Sequence, residues 1–592
     1  MPDGSAPSTP LPRWDLTDLY PAQDSPQVTH DLATLKDKAD HFAHRFKGTL
    51  ATLSGQALAG AIEDYQAIDE LMGKLYSFAQ LQFSTNATDP AIGQFMQTIS
   101  EKITSISSAL LFFTLELNQM DEAILEEKLQ DPHLRHWSPF LRDLRVFRPH
   151  QLSDELERFA HEKSVTGASA WNRLFDETMT ALRVEVGGKV LTLGEAFNLL
   201  SHKERTKREE AGKAIGKTLQ DNIKLLSLIT NTLAKDKHIT DQWRHYPTPA
   251  SSRNCSNMVE DEVVDALISS VASHYPRLSH RYYTLKAQWL GLKQLEHWDR
   301  NAPLPEDSDR LIPWEEAKTI VHSAYTRFDP RMGELAGEFL SKPWIDVPPM
   351  EGKNSGAFAH PTVPSVHPYI LLNYHGKTRD VMTLAHELGH GLHQVLAAEQ
   401  GYLMANTPLT LAETASVFGE MLTFQSLLEA EQKPERRKIM LASKVEDMLN
   451  TVVRQTAFYT FEMRVHTQRQ ERELLPEEIG QIWREIQKES LGPIFNFTPE
   501  YDVFWSYIPH FIHSPFYVYA YAFGDCLVNA LYKTYQSGLE GFADKYIEML
   551  KAGGTKRHKD LLAPFGLDTS NPAFWSRGLS VIDDLITQLE QL

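Results

Sequence analysis

Cysteine is almost missing from this chain: two in 592 residues, Cys255 and Cys526. Two cannot build a disulfide framework, which fits a reducing compartment such as the cytoplasm. Basic residues are also in deficit, 59 Lys and Arg against 78 Asp and Glu, for a formal charge of −19. Phosphate binding needs a basic surface, so nucleic acid is excluded as an expected partner. No apolar run is long enough to span a bilayer, so no membrane partner is expected. No positively charged start leads into an apolar stretch, and residues 1–12 are small, polar and proline-rich, reading as a frayed end. Repeats and low-complexity tracts are absent too. What is present is an ordinary apolar fraction, 42%, in a chain long enough for several domains' worth of core. A monomer is the expected state.

Helical periodicity dominates, with apolar residues at helical spacing over 27–46, 55–82, 90–118 and 121–129. Glu185-Val186-Gly187-Gly188-Lys189-Val190 interrupts it and reads as a hairpin turn. A domain boundary is placed just after it, separating residues 1–195 from 196–592. Ser201-His202-Lys203-Glu204-Arg205 reads as a solvated helix face. Proline-rich stretches over 301–313 and 342–368 mark irregular connections.

The most informative residues are His386-Glu387-Leu388-Gly389-His390. They lie in an apolar-periodic run over 381–393 that predicts a helix, with Thr378 or Asp380 as its start signal. Residues four apart share a helix face, so His386 and His390 point at a common centre. Two neutral imidazoles at that spacing suit a zinc ion. Glu387 lies one residue round; it does not share the metal position but can reach a water beside it, where a general base is needed. Gly389 costs about 1 kcal/mol relative to alanine inside a helix. It therefore needs a reason, and bare backbone would let a second element approach closely. The bland alternative is a buried helix with satisfied histidines.

A catalytic zinc has three protein ligands and one open position. The metzincin continuation fails, because His393 stands where glycine is required and Leu396 where the third histidine is required. The remaining common solution is a carboxylate on a second, antiparallel helix. Residues 407–421 fit, with Thr407 as N-cap, Pro408 at the first helical position, and residues 398–406 reversing the chain. Glu413 and Glu420 share a face two turns apart. Glu413, near the helix start, is the favoured ligand, although Thr410-Leu411-Ala412-Glu413 also matches a capping box. Glu420 is better placed to accept from a ligand histidine and fix its tautomer, and otherwise reads as a solvated side chain. Glu420 and Glu399 are the alternatives to Glu413 as ligand. His393 is expected to pack, since a fourth protein ligand would close the site to water.

Residues 385–390, followed by Leu411-Ala412-Glu413-Thr414-Ala415-Ser416, resemble the M3 peptidases, specifically the oligoendopeptidase F branch. Trp14-Asp15-Leu16-Thr17-Asp18-Leu19-Tyr20 is similar to that branch's start, and Phe112-Phe113-Thr114-Leu115-Glu116-Leu117 to its N-terminal domain. Residues 352–358, Arg454-Gln455-Thr456-Ala457-Phe458 and residues 515–521 match as well, so the resemblance covers nearly the whole chain. It implies a mainly α fold of two helical halves enclosing a substrate channel, with a small β-sheet beside the His386–His390 helix. Residues 1–195 would be the N-terminal helical domain and 196–592 the catalytic domain. It also implies one zinc per chain and cleavage of internal bonds in short, unfolded oligopeptides.

A tetrahedral intermediate needs hydrogen-bond donors, and residues 508–524 supply candidates. Ser514 can cap a helix with Pro515 at its first position, which would put Tyr517 and Tyr521 on one face and His510 and His513 in the preceding turn. The bland reading is an aromatic stripe serving as core. The resemblance implies that His510, Tyr517 and Tyr521 bind substrate and stabilise the transition state. His513 stands where relatives often carry an aromatic hydroxyl, and Tyr519 is expected to pack. Residues 366–374 predict a strand and residues 355–358 a short neighbour. The exposed edge, with Gly356 and Ala357, would hold an extended peptide by main-chain bonds, or else be a structural sheet alone. The resulting expectation is a zinc endopeptidase: His386, His390 and Glu413 bind the metal and Glu387 is the base. The rivals are a helical metallocarboxypeptidase and a non-catalytic peptide-binding protein.

Overall fold

The computed structural model describes residues 10–304 and 311–592. Helices dominate, and the strands among the described residues form three small sheets. Side-chain caps set the early helices where the periodicity predicts them. Ser25 accepts from the Val28 N–H ahead of Pro26–Phe46, Ser54 from Ala57 ahead of Gly55–Thr85, and Asp89 from Ala91 ahead of Pro90–Gln119. Pro26 and Pro90 sit at the first helical position, where no N–H is needed.

Backbone contacts divide the chain into two compact units, each assembled from three segments. One comprises Met1–Arg148, Asp309–Ala430 and Gly538–Phe565; the other comprises Pro149–Ser308, Glu431–Ser537 and Gly566–Leu592.

The first unit has an aromatic centre in which Tyr65 stacks on Phe113 at 4.7 Å and Phe42 meets Phe113 edge-on at 5.1 Å. It also holds a three-stranded sheet. Ile345–Asp346 runs parallel to the central Tyr369–Leu371, and Phe358–His360 pairs antiparallel on its other side. The central strand is shorter than residues 366–374 predict, because its partners offer only two and three residues to pair. Its neighbour forms at Phe358–His360 rather than over 355–358, because Asn354 accepts from the Gly356 N–H at 2.8 Å and turns the chain there.

The start of the chain clasps this sheet. Arg13 and Lys353 both reach the fully buried Asp346, at 3.2 and 2.6 Å. The Tyr369 hydroxyl donates to the Asp15 carbonyl at 2.7 Å, and the Val347 N–H to the Pro12 carbonyl at 3.0 Å. Of the frayed end expected over residues 1–12, residues 1–9 lie outside the described residues and Pro12 is tied down. Likewise, residues 305–310 of the irregular connection lie outside them.

The second unit contains the expected hairpin, Arg183–Val186 against Lys189–Thr192, with Gly187 and Gly188 both at positive φ as a tight two-residue turn requires. Arg205 is not simply solvated. It starts the helix Arg205–Asp221 and, with Arg208, pairs at 2.8 Å with Asp299, which is completely buried. The helix Tyr519–Gln536 packs on Pro572–Glu590, where Gly578 lies against the Cys526 carbonyl.

Two histidines of this unit are buried, and burial pushes them down: His297, stacked on Tyr501 at 4.7 Å, to about 4, and His466, beside Phe516, to about 3. Both stay neutral in the fold but take a proton near 6.5 once unfolded. Stability should therefore be full above pH 6.5 and fall on acidification, at up to roughly 1.4 kcal/mol per pH unit for each histidine. Denaturant titrations at pH 7 and pH 5 measure this, and replacing either histidine with glutamine should flatten the slope. Equal stability at the two pH values would contradict it.

Candidate metal centre

The helix Thr378–Ala397 carries the two histidines and is called here the histidine helix. Asp380 secures its start, accepting from the N–H groups of Lys377 (3.0 Å) and His375 (2.8 Å). Leu384, Ala385, Leu388 and Leu392 are fully buried, which fixes its rotation. His386 and His390 then project one turn apart, with ring centroids 4.9 Å apart and planes at 82°.

The segment opposite is not one helix starting at Thr407 and Pro408. A single turn, Leu409–Ala412, follows Pro408; the chain breaks at Glu413 (φ −80°, ψ 1°), and the glutamate helix runs Thr414–Ala430. The break brings the second backbone onto the first. A Cβ on Gly389 would lie 2.5 Å from the Ala415 carbonyl oxygen and 2.6 Å from the Ser416 Cα. Bare backbone at Gly389 thus admits the close approach that its helix cost predicts. Tyr325 braces the pair from one side: its hydroxyl donates to the Ala385 carbonyl at 2.8 Å, and its ring lies in the space left by Gly419.

This contact puts one carboxylate oxygen of Glu413 3.4 Å from His386 Nε2 and 3.5 Å from His390 Nε2. Ligands about 2.1 Å from a tetrahedral zinc lie about 3.4 Å from each other. The three donor atoms all fall within 4.8 Å, the one such group of His, Cys, Asp or Glu among the described residues. The Ser416 hydroxyl donates to the same Glu413 oxygen at 2.6 Å. Glu413 is therefore turned to the imidazoles, not back to a capping box. Glu399 lies in the turn Ala398–Gln400, outside the group.

Each imidazole is steered from behind. Glu420 lies 3.3 Å from His386 Nδ1, and the His390 ring hydrogen-bonds the Ala412 carbonyl. Burial lowers both rings. At His386 the bond to Glu420 and the charges of Glu413, Glu387 and Glu420 reverse this and raise it, whereas His390 falls to about 4. Glu387 is buried and pushed up to about 7, with the Ala359 N–H as a partner that opposes the rise. His393 is buried against the Leu550 carbonyl and packs, as expected.

The peptide-edge candidates are less open than the sequence suggests. The Gly356 N–H is used by Asn354, and its carbonyl accepts from Asn373 at 2.8 Å. Ala357 lies between this turn and the strand.

In the second unit, Ser514 does not cap a helix. It ends the turn His510–His513, and the next helix begins only at Tyr519. Between them Phe516 takes φ +62°, the left-handed region. The aromatic cluster nevertheless forms. His510 stands 6.1 Å from the Tyr517 ring and 6.0 Å from the Tyr521 ring, Tyr517 and Tyr521 are 5.4 Å apart, and the Tyr521 hydroxyl is 3.4 Å from His510 Nε2. His513 points elsewhere, to Asp176 at 2.8 Å. Tyr519 is buried and accepts from Asn257. Sequence reasoning missed Asp176, Asn257 and Glu462, the last of which takes the Phe516 N–H; distant polar partners of this kind leave no local pattern.

Residues 198–581 match the family model for peptidase family M3, and residues 116–183 match the model named oligopeptidase F. The chain belongs to peptidase family M3. M3 members are metallo-endopeptidases by type, and this chain is a peptidase of that family. It is 28% identical to oligopeptidase PepF of Bacillus subtilis, over 98% of this chain and 87% of that one. It is 27% identical to group B oligopeptidase PepB of Streptococcus agalactiae, over 98% and 97%. In fold it is similar to a solved structure from Chlamydophila abortus (TM-score 0.87, 22% identity, 98% of each chain). A second match is oligoendopeptidase-F from Enterococcus faecium (TM-score 0.70, 21% identity, 96% and 99%). Among the described residues no helix is long and apolar enough to cross a membrane.

Replacing Gly389 with alanine should push the glutamate helix outward. The expected results are fewer bound metal equivalents after dialysis, by elemental analysis, and a stability loss of about 1–3 kcal/mol. Full metal content at wild-type stability would mean that this contact does not place Glu413.

Proposed function

We propose that this M3 peptidase is a zinc-dependent endopeptidase that hydrolyses internal bonds of short, unfolded oligopeptides. The observation that carries the reading is the single Glu413 oxygen at 3.4 and 3.5 Å from the two Nε2 atoms, a spacing that fits a tetrahedral zinc. His386, His390 and Glu413 would hold one ion and leave a position free. Zinc bound there would supply Lewis acidity, polarising the scissile carbonyl and bringing the pKa of water down to about 7.

The rest belongs to the chain's own residues. Glu387 is the general base: it takes the proton of the attacking water and hands it to the leaving amine. Its burial, which raises it to about 7, supports that role, because a carboxyl poised near neutrality can both accept and return a proton. Glu420 and the Ala412 carbonyl orient the two imidazoles. His510, Tyr517 and Tyr521 supply donors to the developing oxyanion and the peptide, supported by their mutual packing around one imidazole. Gly356, Ala357 and His513 are assigned to substrate contact, and residues 196–592 to the catalytic domain that follows an N-terminal helical domain. The relatives' names, oligopeptidase and oligoendopeptidase F, support the substrate class. Work as a monomer in the cytoplasm completes the proposal.

Glu387→Gln should keep zinc but lower kcat by at least about 10²-fold, whereas Glu413→Ala should lose zinc by elemental analysis. A fully active Glu387→Gln would refute the base assignment, and undiminished zinc in Glu413→Ala would shift the ligand role to Glu420 or Glu399. A pool of oligopeptides blocked at both ends, followed by mass spectrometry with and without chelator, tests the reaction class. Chelator-sensitive internal cleavage is expected. Cleavage of unblocked peptides alone would favour a carboxypeptidase, and zinc without any cleavage a binding protein.

A further inference from the structure

Glu462 is a carboxyl with no evident reason to be where it is. It sits mid-way along the helix Val453–Glu471, one turn beyond Phe458, and is 2% exposed. Among the described residues no Lys, Arg or His nitrogen lies within ion-pair distance of it. Arg253 and Lys237 are its nearest cationic influences, and the Lys237 ammonium is engaged by Asp241 at 2.7 Å and Ser252 at 2.9 Å. One Glu462 oxygen has no hydrogen-bond partner. The other accepts from the Phe516 N–H at 2.8 Å. Burial accordingly pushes this acid up to about 8.

Phe516 is the second anomaly. A bulky aromatic residue disfavours the left-handed region, yet Phe516 holds φ +62° while completely buried, its ring against His466 at 4.8 Å and Tyr459 at 5.9 Å. This one residue turns the chain between His510–His513 and the helix that begins at Tyr519. The same turn is tied again at Pro515, whose carbonyl accepts from Arg253 at 3.3 Å, and the Arg253 guanidinium lies over the Tyr517 ring at 5.8 Å. A buried unpaired acid and a strained aromatic backbone are both unfavourable, and both fall on the few residues that orient Tyr517 and Tyr521 against His510. Strain of this sort persists where the surroundings over-determine it, and it concentrates at functional sites.

We propose that Glu462 is a positioning residue for the reaction: by holding the Phe516 N–H it fixes the turn that aims His510, Tyr517 and Tyr521 at the peptide. The proposal rests on the assignment of that cluster to the oxyanion and substrate. Its consequence is a fault in transition-state geometry when the bond is lost, not a fault in metal binding or ground-state affinity.

The test uses the full-length, zinc-loaded chain and an internally quenched peptide blocked at both ends. Glu462→Asp falls one methylene short of the Phe516 N–H, Glu462→Leu removes the acceptor at similar volume, and Glu462→Gln keeps it. Aspartate and leucine should lower kcat at least about tenfold while KM stays within about threefold, and glutamine should restore kcat to within about twofold. Zinc content should be unchanged in all three. Combining Glu462→Asp with Tyr521→Phe should cost little more than the worse single change, because both act through one cluster. Wild-type kcat in the aspartate and leucine variants would overturn the proposal, as would a glutamine variant as slow as leucine or fully multiplicative effects in the double variant. If leucine does not fold, the aspartate–glutamine comparison decides on the same outcomes. Wild-type kcat in both Tyr521→Phe and His510→Ala would overturn the cluster assignment and this proposal with it; wild-type kcat confined to the Glu462 variants removes this proposal alone.

Discussion

Two backbones touching at Gly389 determine what the candidate centre can be. Side chains normally keep packed helices 8–10 Å apart. Here Ala415 and Ser416 come so near the histidine helix that even a methyl group would collide. Only that closeness lets a glutamate, with two methylenes to its carboxylate, meet both imidazoles at once. The break at Glu413 serves the same end: a residue in a continuous helix would point along the helix face, whereas one between two helical segments can turn its side chain in. Tyr325 then fixes the spacing from the side, its hydroxyl on one helix and its ring against Gly419 of the other.

Environment, not residue type, separates the roles of the acids at this centre. Glu413 is 38% exposed, accepts from the Ser416 hydroxyl and faces the two imidazole rings. Glu387, next to His386 in sequence, is buried on the other side and moves toward neutrality. Glu420 acts on His386 alone, through the nitrogen that faces away from Glu413. In the proposed mechanism these three glutamates, within 34 residues, would serve as ligand, proton carrier and orienting acceptor, an economy that follows from where each enters the fold.

The sequence made some of this legible and hid the rest for definable reasons. Periodicity placed the histidine helix and the early helices because apolar stripes and Ser, Asp and Pro caps act locally. Gly389 signalled a close approach because a helix tolerates glycine only for cause. The segment at 407–421 misled, because nothing local says that a helix should break at Glu413; the partner helix imposes the break. The turn at 514–518 misled in the same way: Ser514-Pro515 looks like a helix start, but a buried acid 54 residues earlier holds Phe516 in a conformation its own sequence disfavours. The sheet strands came out shorter or displaced because short partners and side chains such as Asn354 end them. Local signals were read correctly where no distant residue competed.

The clasp on the sheet ties the order of synthesis to the completion of the centre. Arg13 and Asp346 are 333 residues apart, so the stretch around Arg13 leaves the ribosome long before the strands it covers. At about 5–20 residues per second the interval is on the order of tens of seconds. Throughout that wait Arg13 lacks Asp346 and the Asp15 carbonyl lacks the Tyr369 hydroxyl, because the strands that carry them are not yet made. His386, His390 and Glu413 lie later still in the chain, so their three donor atoms come together only after the clasp's last partner has been made.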